Sequence, residues 1–197
     1  MKEEADQHSE YKSRECSGHE TLSSTVKLIA WAFILFHLDV NLGSINLLPS
    51  WLGYLLILHA IPALAEEEES VSLLRPLCIL LAAWNIVLWF ITIPGIQINI
   101  YIPQMMETAL SLYFNFQFLT NLATIAKQYG CPQQKRILNL RTVRTILITV
   151  LVLPIPWKEY TISTVIVITA NVITALWICI TLFSMAHTLN IEISEEV

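Results

Sequence analysis

"TISTVIVITANVITALWICITLFSMAH", residues 161–187, contains no Asp, Glu, Lys or Arg. An uninterrupted apolar stretch of this length suits an α-helix that crosses a bilayer, which needs about 20 residues to traverse roughly 30 Å of hydrocarbon. Working outward from it, five more apolar blocks appear, at residues 26–42, 49–65, 72–93, 104–126 and 142–157. The third, fourth and sixth blocks reach spanning length. The first, second and fifth are short, so they either thin the bilayer locally or stop within it. Barrel strands would alternate polarity over about ten residues, and these blocks do not. The pattern predicts an all-α polytopic transmembrane bundle of about six helices over residues 25–188. It is flanked by a disordered acidic tail at 1–24 and a short acidic tail at 189–197.

Composition points the same way. Of 197 residues, 55% are hydrophobic and only 14% charged, with a mean hydropathy of +0.59, where soluble domains carry about 25% charged residues. The apolar residues fall in blocks, whereas a soluble core would interleave them with polar ones at helical or strand period. Cys16, Cys78, Cys131 and Cys179 lack the spacing of a metal or redox pair and read as free thiols. The polar, acidic start of the chain is unlike a cleavable signal peptide, so the first block is expected to act as an uncleaved anchor.

Basic residues near helix ends stay on the cytoplasmic side. If all six blocks cross with the N-terminus inside, Lys2, Lys12, Arg14, Lys27, Arg75, Lys127, Lys135, Arg136, Arg141 and Arg144 are cytoplasmic, and only Lys158 lies outside. Trp51, Trp89, Tyr101, Trp157 and Tyr160 then fall near the outer ends, at the headgroup level that Trp and Tyr prefer. Both signals predict a plasma-membrane protein with cytoplasmic N- and C-termini.

The link between the first two blocks reads in two ways. As a turn between spanning helices, the first helix ends near Asn41, Gly43 supplies a left-handed residue and Pro49 opens the next helix. Asp39 then sits at the negative end of a helix dipole and wants a cation or donor. As a re-entrant loop, the same residues lie deep in the bilayer, where irregular backbone is tolerated only against protein or water. The run "LDVNLGSINLLPSWLGYLLI", residues 38–57, resembles a pattern in small multi-pass membrane proteins of spore-forming Gram-positive bacteria: a polar residue, Asn-Leu-Gly, Leu-Leu-Pro, then Trp-x-Gly-Tyr. The resemblance implies a bacterial plasma-membrane location and no activity.

Ionisable groups inside spanning segments usually face the bundle interior. His37, Asp39, His59 and Glu107 are the candidates, with Asn115 beside them as part of a polar pathway. Glu107, Ser111 and Asn115 repeat every four residues and share a helix face. Gln117, Asn121, Thr124 and Gln128 form a second polar line, and Asn85 adds an amide in block three. Thr164, Asn171, Thr174 and Thr181 form a seam on block six. Hydrogen bonding between helices is the structural role expected of such residues. "GIQINIYIP", residues 95–103, alternates strictly and reads as an extended segment along the outer interface. "EEEE", residues 66–69, faces the basic stretch 127–144 across the cytoplasmic side.

The sequence holds no metalloprotease helix, nucleophile elbow, phosphate-binding loop or dinucleotide fingerprint. No enzyme, cofactor, metal or nucleic-acid partner is therefore expected. The lipid bilayer is the expected partner, with a second copy or another membrane protein as a further one. Two classes of function remain. One is a non-catalytic structural, partner-binding or sensing component. The other is a small proton- or cation-coupled solute carrier or channel using the buried His and acidic residues.

Overall fold

The computed structural model describes residues 21–36, 41–42, 45–46, 49–92, 101–152 and 161–195. The fold is all-α, with six helices among the described residues. These are α1 (Thr21–Leu35), α2 (Trp51–Glu67), α3 (Arg75–Thr92), α4 (Tyr101–Gln128), α5 (Gln134–Val152) and α6 (Thr161–Glu195). A six-residue 3-10 turn, Glu69–Leu74, leads into α3. Two helical stretches are long and apolar enough to cross a membrane, Glu69–Ile91 and Val165–Ile191, with mean hydropathies of 1.9 and 2.3.

Contacts between helix ends show that the helices alternate in direction. At one end, the Ser23 hydroxyl at the start of α1 donates to the Ala186 carbonyl late in α6 (2.8 Å), and Tyr129 after α4 donates to Glu67 at the end of α2 (2.6 Å). At the other end, the Phe36 ring packs on Tyr54 early in α2 (4.7 Å between centroids), and Trp51 meets Trp89 late in α3 (6.2 Å). Lys127, Lys135, Arg136 and Arg75 cluster toward the first end, at the termini of α4, α5 and α3.

Although α1 is among the shorter helices, it is the best covered. Leu22, Ser23, Val26, Ile29, Ala30, Ala32 and Phe33 are all buried, at spacings that cover about half of its circumference at 3.6 residues per turn, with Thr21, Ser24, Lys27 and Trp31 exposed on the other side. Its neighbours are α2, α4, α5 and α6: Phe33 stacks on Phe118 (6.4 Å) and Trp31 meets Phe183 edge-on (5.9 Å). Gly53 permits the close approach of α2, because a β-carbon there would lie 2.7 Å from the Phe36 ring and 3.0 Å from the Ala32 carbonyl oxygen.

The exposed faces of α3 and α6 are apolar. Ile79, Leu80, Val87 and Phe90 on α3, and Val165, Ile166, Ile173, Leu176, Trp177 and Ile180 on α6, are exposed. Asn115, Asn121, Gln133 and Arg144 are buried. In water these side chains would leave large apolar faces on α3 and α6 exposed, which soluble monomers rarely present.

Several boundaries differ from those read in the sequence. Helix α1 is already formed at Thr21, inside the stretch expected to be a disordered tail through residue 24, because Leu22 and Ser23 are buried against the bundle. It ends at Leu35, well short of Asn41; Asn41–Leu42 instead pair antiparallel with Ile45–Asn46. At the other terminus, α6 continues through the expected tail to Glu195, since buried Leu189 extends the Leu182, Met185 and Ala186 stripe by one turn. Tyr101, Ile102 and Pro103, expected to be extended, open α4. Proline is tolerated there because the first-turn N–H groups have no helical partner.

The largest shift concerns α5, which begins at Gln134 and not at 142. The basic stretch 127–144 is therefore mostly helix. The connection from α4 is a tight one built on Gly130 at φ +60°, with Cys131 N–H donating to Ala126 O (2.8 Å) and Gly130 N–H to Lys127 O (3.1 Å). That bond pair is a Schellman ending, which needs a left-handed residue that glycine adopts without strain. Cys78, Cys131 and Cys179 are buried free thiols.

Candidate functional site

A cavity of about 140 Å³ lies at the end of the bundle where α1 finishes and α2 begins, bordered there by Phe36 and Ser50. Helix α4 supplies one wall through Glu107, Ser111 and Asn115, whose four-residue spacing stacks them on one face. Helices α2 and α3 contribute Tyr54 and Asn85, and α5 contributes Arg144.

Hydrogen bonds tie most of these groups together. Asn85 Nδ2 donates to Glu107 Oε1 and to the Leu81 carbonyl, both at 2.9 Å. The Tyr54 and Ser111 hydroxyls lie 3.1 Å apart, and Asn115 Nδ2 donates to the Ser111 carbonyl at 2.7 Å. Two members are left incomplete. Asn115 Oδ1 is buried with no hydrogen-bond partner, and so are Nε and Nη1 of Arg144.

Arg144 is only 7% exposed. A guanidinium stays charged in proteins, and moving such an ion out of water carries a penalty of several kcal/mol unless other groups compensate. The Phe33 ring, 5.8 Å from the guanidinium carbon, offers a partial cation–π contact. Phe33 also belongs to the last turn of α1, whose dipole presents its negative end there. Neither contact supplies an acceptor for the free N–H groups. Arg141, one turn earlier, also has a buried Nε without a partner, but it lies 4.2 Å over the Phe116 ring and donates through Nη1 to Thr120 (2.8 Å).

The sequence-derived pathway residues divide into three groups. Glu107 and Asn115 come together in the cavity. His59 does not join them: it is exposed on another face of α2, in a groove lined by Leu55, Leu58, Pro62 and Glu66. His37 and Asp39 lie outside the described residues, as does Lys158. Among the described residues, no group of three or more His, Cys, Asp or Glu side chains is arranged to hold a metal ion.

In the sequence Arg144 groups with the cytoplasmic basic cluster, which hides it as a site residue. A signal was present: block five, residues 142–157, already contains Arg144, so any helix that spans from that block carries a guanidinium within its membrane-length segment. Tyr54 is hidden for a different reason, since an aromatic residue in an apolar helix has no distinctive pattern. The seam on α6 is only partly as expected. Thr174 and Thr181 are buried, yet their hydroxyls donate to Ala170 and Trp177 carbonyls on their own helix, each at 2.8 Å. The Thr164 side chain lies outside the described set.

Comparison of the chain with protein-family models, with curated proteins and with solved structures gives no match.

Proposed function

We propose that the chain is a multi-pass plasma-membrane protein, with both termini cytoplasmic, that binds a small polar solute in the outer half of its bundle. It serves as a sensing or carrier component and performs no bond-breaking chemistry. The observation that carries this reading is Arg144, a buried and unsatisfied cation lining a cavity, inside a bundle whose exposed α3 and α6 faces are apolar. An unmet buried polar group costs about 1–3 kcal/mol and a charged one more, so an unmatched guanidinium is a poor device for holding helices together. The orientation rests on the basic helix ends at Lys127, Lys135, Arg136 and Arg75, which the positive-inside rule assigns to the cytoplasm.

The test is a single-cysteine variant, Ser111→Cys, in a chain whose four native cysteines are replaced by serine or alanine. In intact cells, an impermeant thiol reagent applied outside is expected to label it, while the same chain with a cysteine at Gln128 stays unlabelled. Labelling of position 128 and not of 111 would overturn the orientation. Labelling of neither, in a well-expressed protein, would overturn solute access to the cavity.

A further inference from the structure

We infer that the cavity is built for a small zwitterion, an ammonium and a carboxylate separated by one or two carbons, of the size of the smallest amino acids. The inference rests on the solute-binding reading above and adds the chemical class of the solute. Two opposite charges line the same space, yet they do not neutralise one another. Glu107 Oε1 is held by Asn85 (2.9 Å), and Arg144 leaves Nε and Nη1 without any partner. A simple anion bound to Arg144 would face the Glu107 carboxylate, and a simple cation bound to Glu107 would face the guanidinium. A molecule with a charge of each sign satisfies both.

The neutral groups fit the same assignment. Asn115 also lines the cavity, and its buried, unpartnered Oδ1 becomes a second acceptor for an ammonium once the side chain turns toward the solute. The N–H groups of Arg144 are donors for a carboxylate, the geometry for which guanidinium is suited. The volume of about 140 Å³ corresponds to some four or five waters at roughly 30 Å³ each, which is room for a solute of about five or six non-hydrogen atoms. An ethanolamine phosphate headgroup carries the same pair of charges but is larger, so the free amino acid is the assignment.

The experiment uses the full chain purified in detergent, with glycine, acetate, methylammonium and O-phosphoethanolamine as probes. Binding is read by thermal shift and calorimetry. Glycine is expected to stabilise the protein and to bind at least tenfold more tightly than acetate or methylammonium. Glu107→Gln is expected to weaken glycine at least tenfold and leave acetate unchanged or improved. Arg144→Lys is expected to weaken glycine and acetate together. The probe comparison on the unaltered chain needs no variant, so a folding defect in Arg144→Lys leaves the test intact.

Acetate binding as tightly as glycine would overturn the zwitterion assignment, as would binding of none of the probes by folded protein. Tighter binding of O-phosphoethanolamine would transfer the site to a lipid headgroup. External labelling at Ser111→Cys together with no glycine binding sinks this inference while the broader reading stands. Absence of labelling sinks the broader reading itself.

Discussion

The two ends of the bundle treat polar residues in opposite ways. At the basic end, Tyr129 donates to Glu67 (2.6 Å), Gln133 Nε2 donates to Thr188 (2.9 Å) and Ser184 (3.1 Å), and Ser23 caps the Ala186 carbonyl. Each contact joins neighbouring helices, and the unmatched atoms on that side of the cavity, Gln133 Oε1, Asn121 Nδ2 and Arg141 Nε, belong to side chains that make other bonds, Asn121 Oδ1 accepting from Gln117 (3.2 Å) and Arg141 Nη1 donating to Thr120 (2.8 Å). At the cavity end the unmatched group is a full cation, Arg144, beside a carboxylate that does not reach it. The first arrangement holds helices together; the second is the one on which the proposal of a bound solute rests. The lesson is that polarity inside an apolar bundle is sorted by whether it is satisfied, which residue type alone does not reveal.

The contrast can be broken by mutation. Phe118 on α4 is fully buried, stacked on Phe114 (5.6 Å) and on Phe33 of α1 (6.4 Å). Phe118→Ala is expected to destabilise the chain by about 3 kcal/mol or more, measured by reversible unfolding in mixed micelles, and to lower solute binding as well. Arg144→Leu separates the two roles. It removes an uncompensated buried charge, so stability is expected to rise by about 1–2 kcal/mol while solute binding is lost. Loss of stability in that variant would show that the guanidinium is structural.

At the other end the sign reverses. Tyr129→Phe removes the donor to Glu67 and is expected to destabilise by about 1 kcal/mol without changing solute binding. Gly130→Ala forces a β-carbon into the left-handed conformation that ends α4 and is expected to lose a similar or smaller amount, about 1 kcal/mol, again with binding unchanged.

The smallest effect is in pH dependence. Burial, together with the hydrogen bond and charge of Glu67, pushes the Tyr129 hydroxyl above its ordinary range. The folded protein therefore holds this proton more tightly than the unfolded chain. Its contribution is complete below the unfolded value of about 10 and declines as pH rises above that toward the folded value. A stability profile through this alkaline window is expected to fall for the unaltered chain and to be flatter for Tyr129→Phe.

How much of this was legible beforehand differs between residues. Glu107, Ser111 and Asn115 were readable as one face because helical spacing alone places them so. His59 looked equivalent to Glu107 by chemistry, but its position on α2 points it to an exposed groove. Rotation of a helix about its axis is set by packing, and an evenly apolar helix carries little of that information in its sequence. Buried Leu22 and Leu189 likewise extended α1 and α6 beyond their apolar blocks, since local hydropathy does not register which neighbour covers a residue.

From the order of residues alone came the six helices, the apolar stretches of α3 and α6 and the polar face of α4, because each depends on properties local to one segment: hydrophobic length and a periodicity of 3.6. Tertiary structure decided that α1 is the best-covered helix, that Arg144 belongs to the interior, and that it remains unpaired beside Glu107. Those facts depend on which faces of separate helices meet, and that is settled by packing volumes and backbone approach, as at Gly53 against Phe36, across distances that no single stretch of sequence spans.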